Sequence, residues 1–459
     1  MPNHRAGRVG VRRVAFLLVA PFERFLRTEF AGAALLVGAA AIALVWANSR
    51  LAGSYRHLVE LPVGLHLGAL RVSLPLRAWV NDVAMAFFFL VAGMEIRREL
   101  STGELRTPAR AALPLVAALG GMLFPAGLYA LVAQGTAASR GWGIPMATDI
   151  AFSLGVLGVV RRRVPPSLLV FLTALAIFDD LGAIVVIALF YGGRIDHFGV
   201  VAAVALTAAL VGLSRARVAS FVPYVAFGTA LWFALHRAGI HPTLAGVVTG
   251  LCLPPFPARP VEDVLADLEG SLDGLRRGAR ADRNVLAAIE RHLESMQSPL
   301  DRMMHGLHAV VAFAIVPVFA LLNAGVALDL RASSLCDPAA VGVALGLFVG
   351  KPVGITLAAW AAVRTGACVI PTGARWRDVF GVAMLGGIGF TMSLFVNELA
   401  FPGAHVSAAT AKLGVFAGSL LSALAGVLFL RATGRPRASE ATEDDVAVEV
   451  TDAPPERSP

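Results

Sequence analysis

Charged residues are scarce in this sequence. They make up 15% of the 459 residues, whereas roughly 25% is usual in a soluble domain. Hydrophobic residues make up 57% of the chain, and the mean hydropathy is +0.72. A soluble fold has too little interior to bury so many apolar side chains. The composition therefore predicts a polytopic membrane protein.

Cysteine and lysine are scarcer still. The three cysteines, Cys252, Cys336 and Cys368, are odd in number and far apart along the chain. They exclude a disulfide framework and lack the spacing of metal ligands, so no cofactor is expected. Only two lysines, Lys351 and Lys412, stand among the 39 residues that are Lys or Arg. A lysine in the middle of an apolar span is therefore informative.

Positive charge exceeds negative charge but forms no single patch. The formal net charge is +8, although the stretch from Ala438 to Pro459 is acidic. The arginines lie in short clusters between apolar runs, such as 97–98 and 161–163. This pattern is typical of membrane orientation signals and not of a nucleic-acid-binding face. The arginines concentrate in the N-terminus, the even-numbered connections and the C-terminus, so the positive-inside rule places both termini in the cytoplasm.

Twelve apolar runs are long enough to be transmembrane helices, which need about 20 residues. They lie at 30–48, 77–96, 111–133, 142–160, 166–192, 197–213, 218–235, 240–255, 305–327, 338–363, 379–399 and 409–430. The chain is thus predicted to have a basic cytoplasmic N-terminus (1–29), eight spans (30–255), a cytoplasmic connection (256–304), four spans (305–430) and a disordered acidic tail (431–459). The connection is predicted as a pair of amphipathic helices on the membrane surface. A partly disordered linker fits its composition equally well.

Ionisable residues within these spans are the main functional signal. Asp179 and Asp180 are the only charged residues between Pro165 and Gly193 and fall near the bilayer midplane. Asp149 and Lys351 are likewise the only charges of their spans. Each such charge costs about 2.5–3.5 kcal/mol at a helix centre. A cost of that size indicates a function. The alternative is that the charges pair only to hold helices together.

The types of these residues favour cation exchange. Three acids and one base do not balance, which leaves a carboxylate to bind a cation. Asp179 and Asp180 are neighbours, so their carboxyl groups titrate as a coupled pair. Such a pair can exchange protons for Na⁺, a hard cation that prefers oxygen ligands, with the Thr148 hydroxyl as a further ligand. Lys351 can lose its proton when buried, whereas an arginine cannot.

Two spans contain residues that interrupt helices. Gly143 and Pro145 precede Thr148 in the fourth span, and glycines cluster at 386–389 in the eleventh. Interrupted helices at corresponding positions of two halves indicate an ion or substrate site. Close helix packing is the alternative explanation for the glycine cluster.

Seven short motifs stand out in and beside these spans: Trp79–Asp82, Glu95–Leu100, Ala147–Phe152, Phe178–Ala183, His241–Gly246, Gly350–Pro352 and Gly387–Ser393. Together they resemble the motifs of the NhaA family of sodium–proton antiporters. The resemblance runs in order from about residue 25 to 430. It implies an all-α polytopic membrane protein with about twelve transmembrane helices, inverted repeats, two crossed discontinuous helices and a cytoplasmic funnel.

The resemblance also implies the activity. It predicts electrogenic Na⁺(Li⁺)/H⁺ exchange in the cell inner membrane, in which the inward proton gradient drives sodium out and cytoplasmic pH regulates the rate. The implied partners are Na⁺, Li⁺, H⁺ and the lipid bilayer, and the family suggests a homodimer. Asp180 would be the main cation ligand, and Asp179 would pair with Lys351. Asp149 and Lys351 would offset the partial charges of the broken helix ends.

Other family positions are less specific. Asp82 has a role in the ion path by resemblance, or is an interfacial carboxylate. Glu95 and Glu99 face the funnel in the family, or are surface acids paired with arginine. His305 and His308 are candidate pH sensors, or interfacial histidines. Here Met304 precedes His305 where the family often has Glu, and the 256–304 connection is longer than usual.

Other classes of function fit the sequence less well. A Na⁺-coupled symporter for an organic anion would need an arginine at the midplane to bind the carboxylate. An intramembrane aspartyl protease needs two aspartates on different helices, and a membrane prenyltransferase needs acids at the spacing that binds Mg²⁺-diphosphate. Asp179 and Asp180 are adjacent instead. The sequence therefore predicts a transporter and not an enzyme.

Overall fold

The computed structural model describes residues 29–67, 70–257, 264, 298–327, 336–403 and 405–434. Within these ranges most of the chain is helical. The helices are α1 (Glu29–Ala47), α2 (Ala52–Val59), α3 (Leu76–Ser101), α4 (Pro108–Val132), α5 (Ile150–Val159), α6 (Pro166–Phe190), α7 (His197–Arg215), α8 (Val222–Ala238), α9 (Leu244–Cys252), α10 (Pro299–Asn323), α11 (Pro338–Arg364), α12 (Trp376–Gly386), α13 (Phe390–Ala400) and α14 (His405–Thr433). Short 3-10 helices cover Glu104–Arg106, Ala137–Met146 and Arg161–Arg163.

Seven of the described helices are long and apolar enough to cross a membrane. They are α3, α4, α6, α7, α10, α11 and α14. Three bent pairs meet the same criteria together and raise the number to ten: α1 with α2, the 3-10 helix Ala137–Met146 with α5, and α12 with α13. The two other predicted spans contain α8, with 17 residues, and α9, with 9 residues. At 1.5 Å per residue α9 is only about 14 Å long. The chain is a multi-pass membrane protein, and the number of twelve spans stays a prediction.

Proline and capping side chains determine where several helices begin. Proline is the first residue of α4, α6, α10 and α11, a position where its missing N–H leaves no hydrogen bond unmade. Ser298 Oγ accepts a hydrogen bond from Asp301 N at 3.0 Å ahead of α10. Asp337 Oδ1 accepts one from Ala339 N at 2.8 Å ahead of α11. These caps satisfy N–H groups that the helices leave unpaired.

The helices pack into two groups. The first group consists of α4, α5 with its preceding 3-10 helix, α6, α11, α12, α13 and α14, and the second of α1, α2, α3, α7, α8, α9 and α10. Contact between the groups is sparser and includes α1 against α5 and α10 against α13. Within the first group α4 and α11 approach most closely at Gly120 and Gly354, where a Cβ on either residue would overlap the other's carbonyl.

Three of the long helices contain a π-helical turn. The turns are Val80–Ala84 in α3, Val311–Ile315 in α10 and Gly346–Gly350 in α11. A π turn inserts a residue into the helix and changes the direction of the side chains beside it, and such turns are frequent at functional sites. The first of these turns contains Asp82, and the last ends directly before Lys351.

A β-hairpin joins α2 to α3. Strands β1 (Pro62–Leu67) and β2 (Leu70–Pro75) are antiparallel, with Pro62 opposite Pro75 and Leu67 opposite Leu70. No strand was predicted here, because neither segment is an apolar run of helical length. Apolar residues at alternate positions of both strands were the available signal.

Several predicted segments lie outside the described residues. These are the first 28 residues, most of the 256–304 connection and the chain beyond 434. The cytoplasmic, amphipathic and disordered assignments made for them stay predictions. At the edges of these segments, α10 already begins at Pro299, within the predicted connection, and α14 continues to Thr433.

Candidate functional site

The fourth and eleventh predicted spans are both interrupted, as the glycine and proline positions indicate. The 3-10 helix Ala137–Met146 and α5 are bent by 52° relative to each other, and α12 and α13 by 48°. The residues between the halves lie side by side, and Asp149 N donates a hydrogen bond to Ile388 O at 2.7 Å. The two interruptions are therefore in direct contact.

Two serines make matching contacts on either side of this junction. Ser153 Oγ donates to Leu385 O at 2.9 Å, near the end of α12. Ser393 Oγ donates to Ile144 O at 2.8 Å, near the end of the 3-10 helix. Each serine lies in the first turn or so after its own break and binds a carbonyl group that precedes the other break. A leucine follows each serine in the sequence, so the short shared sequence Ser-Leu corresponds to a repeated pair of hydrogen bonds.

Asp149 caps two helices at once. Its Oδ1 accepts from Phe152 N at 3.0 Å in the first turn of α5. Its Oδ2 accepts from Thr391 N at 3.1 Å and from Thr391 Oγ1 at 2.5 Å in the first turn of α13. The partial positive charge at helix N-termini favours a carboxylate at this position. Both oxygens of this buried side chain already accept hydrogen bonds.

Asp179, Lys351 and Thr148 form a fully buried polar cluster. Each is 0% exposed. Lys351 Nζ lies 2.5 Å from Asp179 Oδ2 and also donates to Thr148 Oγ1. Thr148 Oγ1 lies 2.6 Å from Asp179 Oδ2 and 2.8 Å from the carbonyl oxygen of Gly386. Its single hydrogen can serve only one of these acceptors at a time, so the cluster joins α6, α11 and both breaks through exchangeable hydrogen bonds.

Asp180 lies beside this cluster and forms no ion pair with a lysine, arginine or histidine of the described residues. It is 2% exposed. Among the described residues, neither Oδ1 of Asp180 nor Oδ1 of Asp179 has a hydrogen-bond partner. Buried carboxylate oxygens without partners are costly and uncommon in folded proteins. These two atoms are therefore the acceptors that this site leaves available.

The arrangement supplies the ligands that a hard cation prefers. Two carboxylates, the Thr148 hydroxyl and the Gly386 carbonyl are all oxygen donors. Within the described ranges no group of three or more His, Cys, Asp or Glu side chains is placed to hold a metal ion. The oxygen ligands of this site come instead from carboxylate, hydroxyl and carbonyl groups. The Lys351 ammonium group already occupies one face of Asp179. A proton, an ammonium group or a metal cation could each neutralise the carboxyl pair.

A second polar region lies at the other end of α13. A cavity of about 210 Å³ is lined there by residues that include Asn81, Asp82 and His241. Asp82 Oδ1 lies 4.0 Å from His241 Nε2, and His241 Nδ1 lies 2.8 Å from Thr243 Oγ1. Asp82 was predicted from the sequence as a site residue, but its neighbour His241 received no role. The structure does not bring Asp82 into the buried cluster.

Glu95 and His308 are brought together at the opposite end of α3. His308 Nδ1 lies 3.7 Å from Glu95 Oε1. Glu99, one turn further along α3, lies against Gly103. Glu95 therefore contacts one of the two predicted histidines.

The other predicted histidine has a different partner. His305 Nδ1 lies 2.8 Å from the backbone oxygen of Asp301, on its own helix. The Asp301 carboxylate lies 3.6 Å from Arg98 Nε. Met304, which stands where the resembled family often has an acid, is buried. Asp301 supplies an acid one turn earlier on α10, and the sequence analysis overlooked it.

Sequence reasoning also missed Thr391 and the backbone oxygen of Gly386. Thr391 belongs to a quoted motif but received no role, although it hydrogen-bonds Asp149 through both its N–H and its hydroxyl. The available signal was the helix-capping tendency of a threonine directly after a glycine-rich break. No side-chain pattern could have identified the Gly386 carbonyl, because the backbone supplies it.

Comparison with known proteins agrees with these features. Residues 23–430 match the protein family described as Na+/H+ antiporter 1. The chain is 48% identical over 427 residues to the Na(+)/H(+) antiporter NhaA of an Anaeromyxobacter species, covering 91% of this chain and 92% of that protein. It is 46% identical over 427 residues to the Na(+)/H(+) antiporter NhaA 1 of Myxococcus xanthus (91% and 94% covered). It is 44% identical over 422 residues to the Na(+)/H(+) antiporter NhaA of Rhodospirillum rubrum (91% and 98% covered). The chain therefore belongs to the NhaA family of sodium–proton antiporters, a family of membrane transporters and not of enzymes.

Proposed function

We propose that this protein is an electrogenic Na⁺(Li⁺)/H⁺ antiporter of the cell inner membrane, which extrudes sodium in exchange for protons. The observation that supports this most directly is the buried pair Asp179 and Asp180, in which one carboxylate is bound by Lys351 and the other has an unpartnered oxygen. The relatives that the chain matches are named as Na⁺/H⁺ antiporters.

Charge balance in the buried site sets the number of protons that exchange for each sodium ion. In the proton-loaded state Asp180 holds a proton and Asp179 pairs with the Lys351 ammonium. A sodium ion bound between both carboxylates takes the place of the Asp180 proton and of the Lys351 charge. Lys351 can then give up its proton, as a buried lysine can. One sodium ion therefore exchanges for more than one proton, so each cycle moves net charge.

The remaining ligands and the helix ends complete the proposed site. Thr148 Oγ1 is the third ligand of Na⁺ or Li⁺, since it already lies 2.6 Å from Asp179 Oδ2. Asp149 acts mainly as a compensating charge, because hydrogen bonds from the starts of α5 and α13 occupy both of its oxygens. Lys351 compensates the opposite helix ends.

The same proposal covers the architecture of the whole protein. The two interrupted spans cross, and twelve spans form inverted repeats. Both termini are cytoplasmic, and the protein is a homodimer.

Asp82 is proposed to lie on the outer ion path, because it lines the 210 Å³ cavity.

Regulation by cytoplasmic pH is proposed for Glu95, Glu99, His305 and His308. The 3.7 Å contact between His308 and Glu95 supports this assignment. This contact joins α3 to α10, so a change in it would alter the packing of the two helices.

The proposal is tested by proton movement in everted membrane vesicles. Addition of Na⁺ or Li⁺ to vesicles that hold a proton gradient should raise their internal pH, as reported by a fluorescent weak base, and should generate a membrane potential. Asp180→Asn and Asp179→Asn should each abolish the response. Asp196→Asn, an exposed acid outside the spans, is the matched control and should leave it intact. Antiport that survives in both site variants would refute the site assignment, and a wild-type protein without any Na⁺ response would refute the function.

A further inference from the structure

The second lysine of the chain is also buried and paired. Lys412, on α14, is 7% exposed. Its Nζ lies 2.7 Å from Oε1 of Glu398, on α13, and the two side chains are 9% and 17% exposed. Both lysines of a chain that otherwise uses arginine thus form ion pairs in the protein interior. On α14, Lys412 lies seven residues, or about 10 Å, before Ser419, which accepts a hydrogen bond from Phe390 N at the break between α12 and α13.

Glu398 also contacts a cation of the other helix group. Its Oε2 lies 3.5 Å from Arg77, on α3, whose side chain is 37% exposed. Glu398 and Lys412 belong to the first group of helices, and Arg77 belongs to the second. We call Arg77, Glu398 and Lys412 the outer triad. The Glu398 carboxylate pairs with Lys412 inside the first group and with Arg77 of the second group.

The outer triad lies at the cavity that contains Asp82. Arg77 and Glu398 line this cavity together with Asp82 and His241. The second group of helices supplies Arg77 to one wall of the cavity, and the first group supplies Glu398 to the other wall. The contact between these two residues therefore joins the two walls. An ion that leaves the buried carboxylates through this cavity needs the two walls to separate, as alternating access requires.

We propose that Glu398 is a positioning residue for antiport, which holds the outer face closed through Arg77 and is kept in place by Lys412 when that contact opens. This inference rests on the proposed antiport function. The contact between Glu398 and Arg77 is longer and more exposed than the contact between Glu398 and Lys412, so it is the one that separates.

The energetics of the outer triad favour reversible opening. A partly exposed ion pair contributes little net stability, because water solvates its charges well once they separate. A buried carboxylate left without any cation would be costly. Lys412 prevents that cost, since Glu398 keeps a close cation when Arg77 moves away. The outer face can therefore open without leaving a buried charge unpaired.

The first test measures access to the cavity directly. All three native cysteines, of which Cys336 is exposed, are replaced by serine, and Ala78→Cys then places a thiol in the cavity wall. A membrane-impermeant maleimide is added from outside to right-side-out vesicles. Arg77→Gln should increase the labelling rate about two- to fivefold, the range expected for a partly exposed ion pair. Glu398→Gln should do the same.

The matched control is an ion pair at the same end of the molecule. Arg237 Nε lies 3.1 Å from Asp196, and both residues belong to the second group. Arg237→Gln removes an arginine that is more exposed than Arg77, 67% against 37%, and whose ion pair does not join the two groups, so it should leave the labelling rate unchanged. Equal acceleration by Arg237→Gln, or no acceleration by Arg77→Gln, would overturn the proposal. Arg77→Gln keeps the test valid if Glu398→Gln fails to fold, because Arg77 is the more exposed partner.

The second test separates positioning from a structural role. An easier outer opening should lower the apparent KM for Na⁺ at the outer face and raise it at the inner face, with the maximal rate less affected. Right-side-out and everted vesicles measure the two values separately. A loss of maximal rate with both KM values unchanged would overturn the proposal. Labelling needs no transport, so absence of antiport in the wild type would refute the proposed function and still leave the role of the outer triad measurable.

Discussion

Lys351 and Lys412 form similar ion pairs in surroundings of opposite charge balance. At the centre of the molecule one ammonium group lies among three buried carboxyls, those of Asp149, Asp179 and Asp180. In the outer triad two cations share the single carboxylate of Glu398. A surplus of carboxylate can bind a further cation, whereas a surplus of ammonium and guanidinium groups cannot. The balance of charges around each buried pair, more than its geometry, therefore distinguishes the proposed exchange site from the proposed positioning contact.

The largest effect is expected from Lys351→Gln. This change leaves Asp179 buried without a cation, and breaking a buried pair in this way costs about 3–5 kcal/mol. It also removes the group that is proposed to supply the additional proton. We expect a strongly lowered free energy of unfolding in detergent, and exchange that no longer generates a membrane potential in proteoliposomes. Wild-type stability together with an undiminished potential would contradict the proposed role of Lys351.

Lys412→Gln should have a smaller effect, because Glu398 keeps its contact with Arg77. The loss of one charge-assisted hydrogen bond predicts a decrease of about 1.5–3 kcal/mol in the free energy of unfolding. The charge moved per sodium ion should stay the same, since Lys412 takes no part in the exchange. Parallel measurements on both lysine variants test the comparison directly. If Lys412→Gln also abolished the membrane potential, the two pairs would not differ in role.

The smallest effect is expected from Arg237→Gln, at a pair on the exposed surface. The hydrogen bond from Arg237 holds the pKa of the Asp196 carboxyl below its ordinary value of 3.8. A lowered pKa in the folded state contributes stability above the ordinary pKa and loses it as the pH falls through the folded-state pKa. The wild type should therefore be slightly more stable than Arg237→Gln at neutral pH, and the difference should vanish below pH 3.8. Melting temperatures across this range provide the measurement, and a difference that grows in acid would contradict it.

The buried site was predictable because charge inside an apolar span is rare. Counting residues from the ends of α6 placed Asp179 and Asp180 near its middle, and the same reasoning selected Asp149 and Lys351. Family membership, predicted from the motifs, is confirmed by the comparisons. The functional roles of these residues stay predictions until the variants above are measured.

The missed features depend on contacts between distant parts of the chain. Glu398 looked like an ordinary acid near a helix end, and only the fold brings Arg77 and Lys412 to it. Asp301 was overlooked because the family pattern directed attention to position 304. The β-hairpin was missed for a different reason, since strands of six residues fall below the length used to find membrane helices. Sequence composition locates costly residues well, but it does not identify their partners.

The capping of α5 and α13 by Asp149 has a mechanical consequence. This carboxylate accepts hydrogen bonds from the first turns of two half-helices that are 242 positions apart in the sequence. Any motion that pulled these ends apart would strip the carboxylate of its donors and break the matching bonds of Ser153 and Ser393 at the same moment. We therefore expect the four half-helices to shift as one rigid body. An ion bound between them would then move together with its ligands and would not exchange one set of oxygen ligands for another.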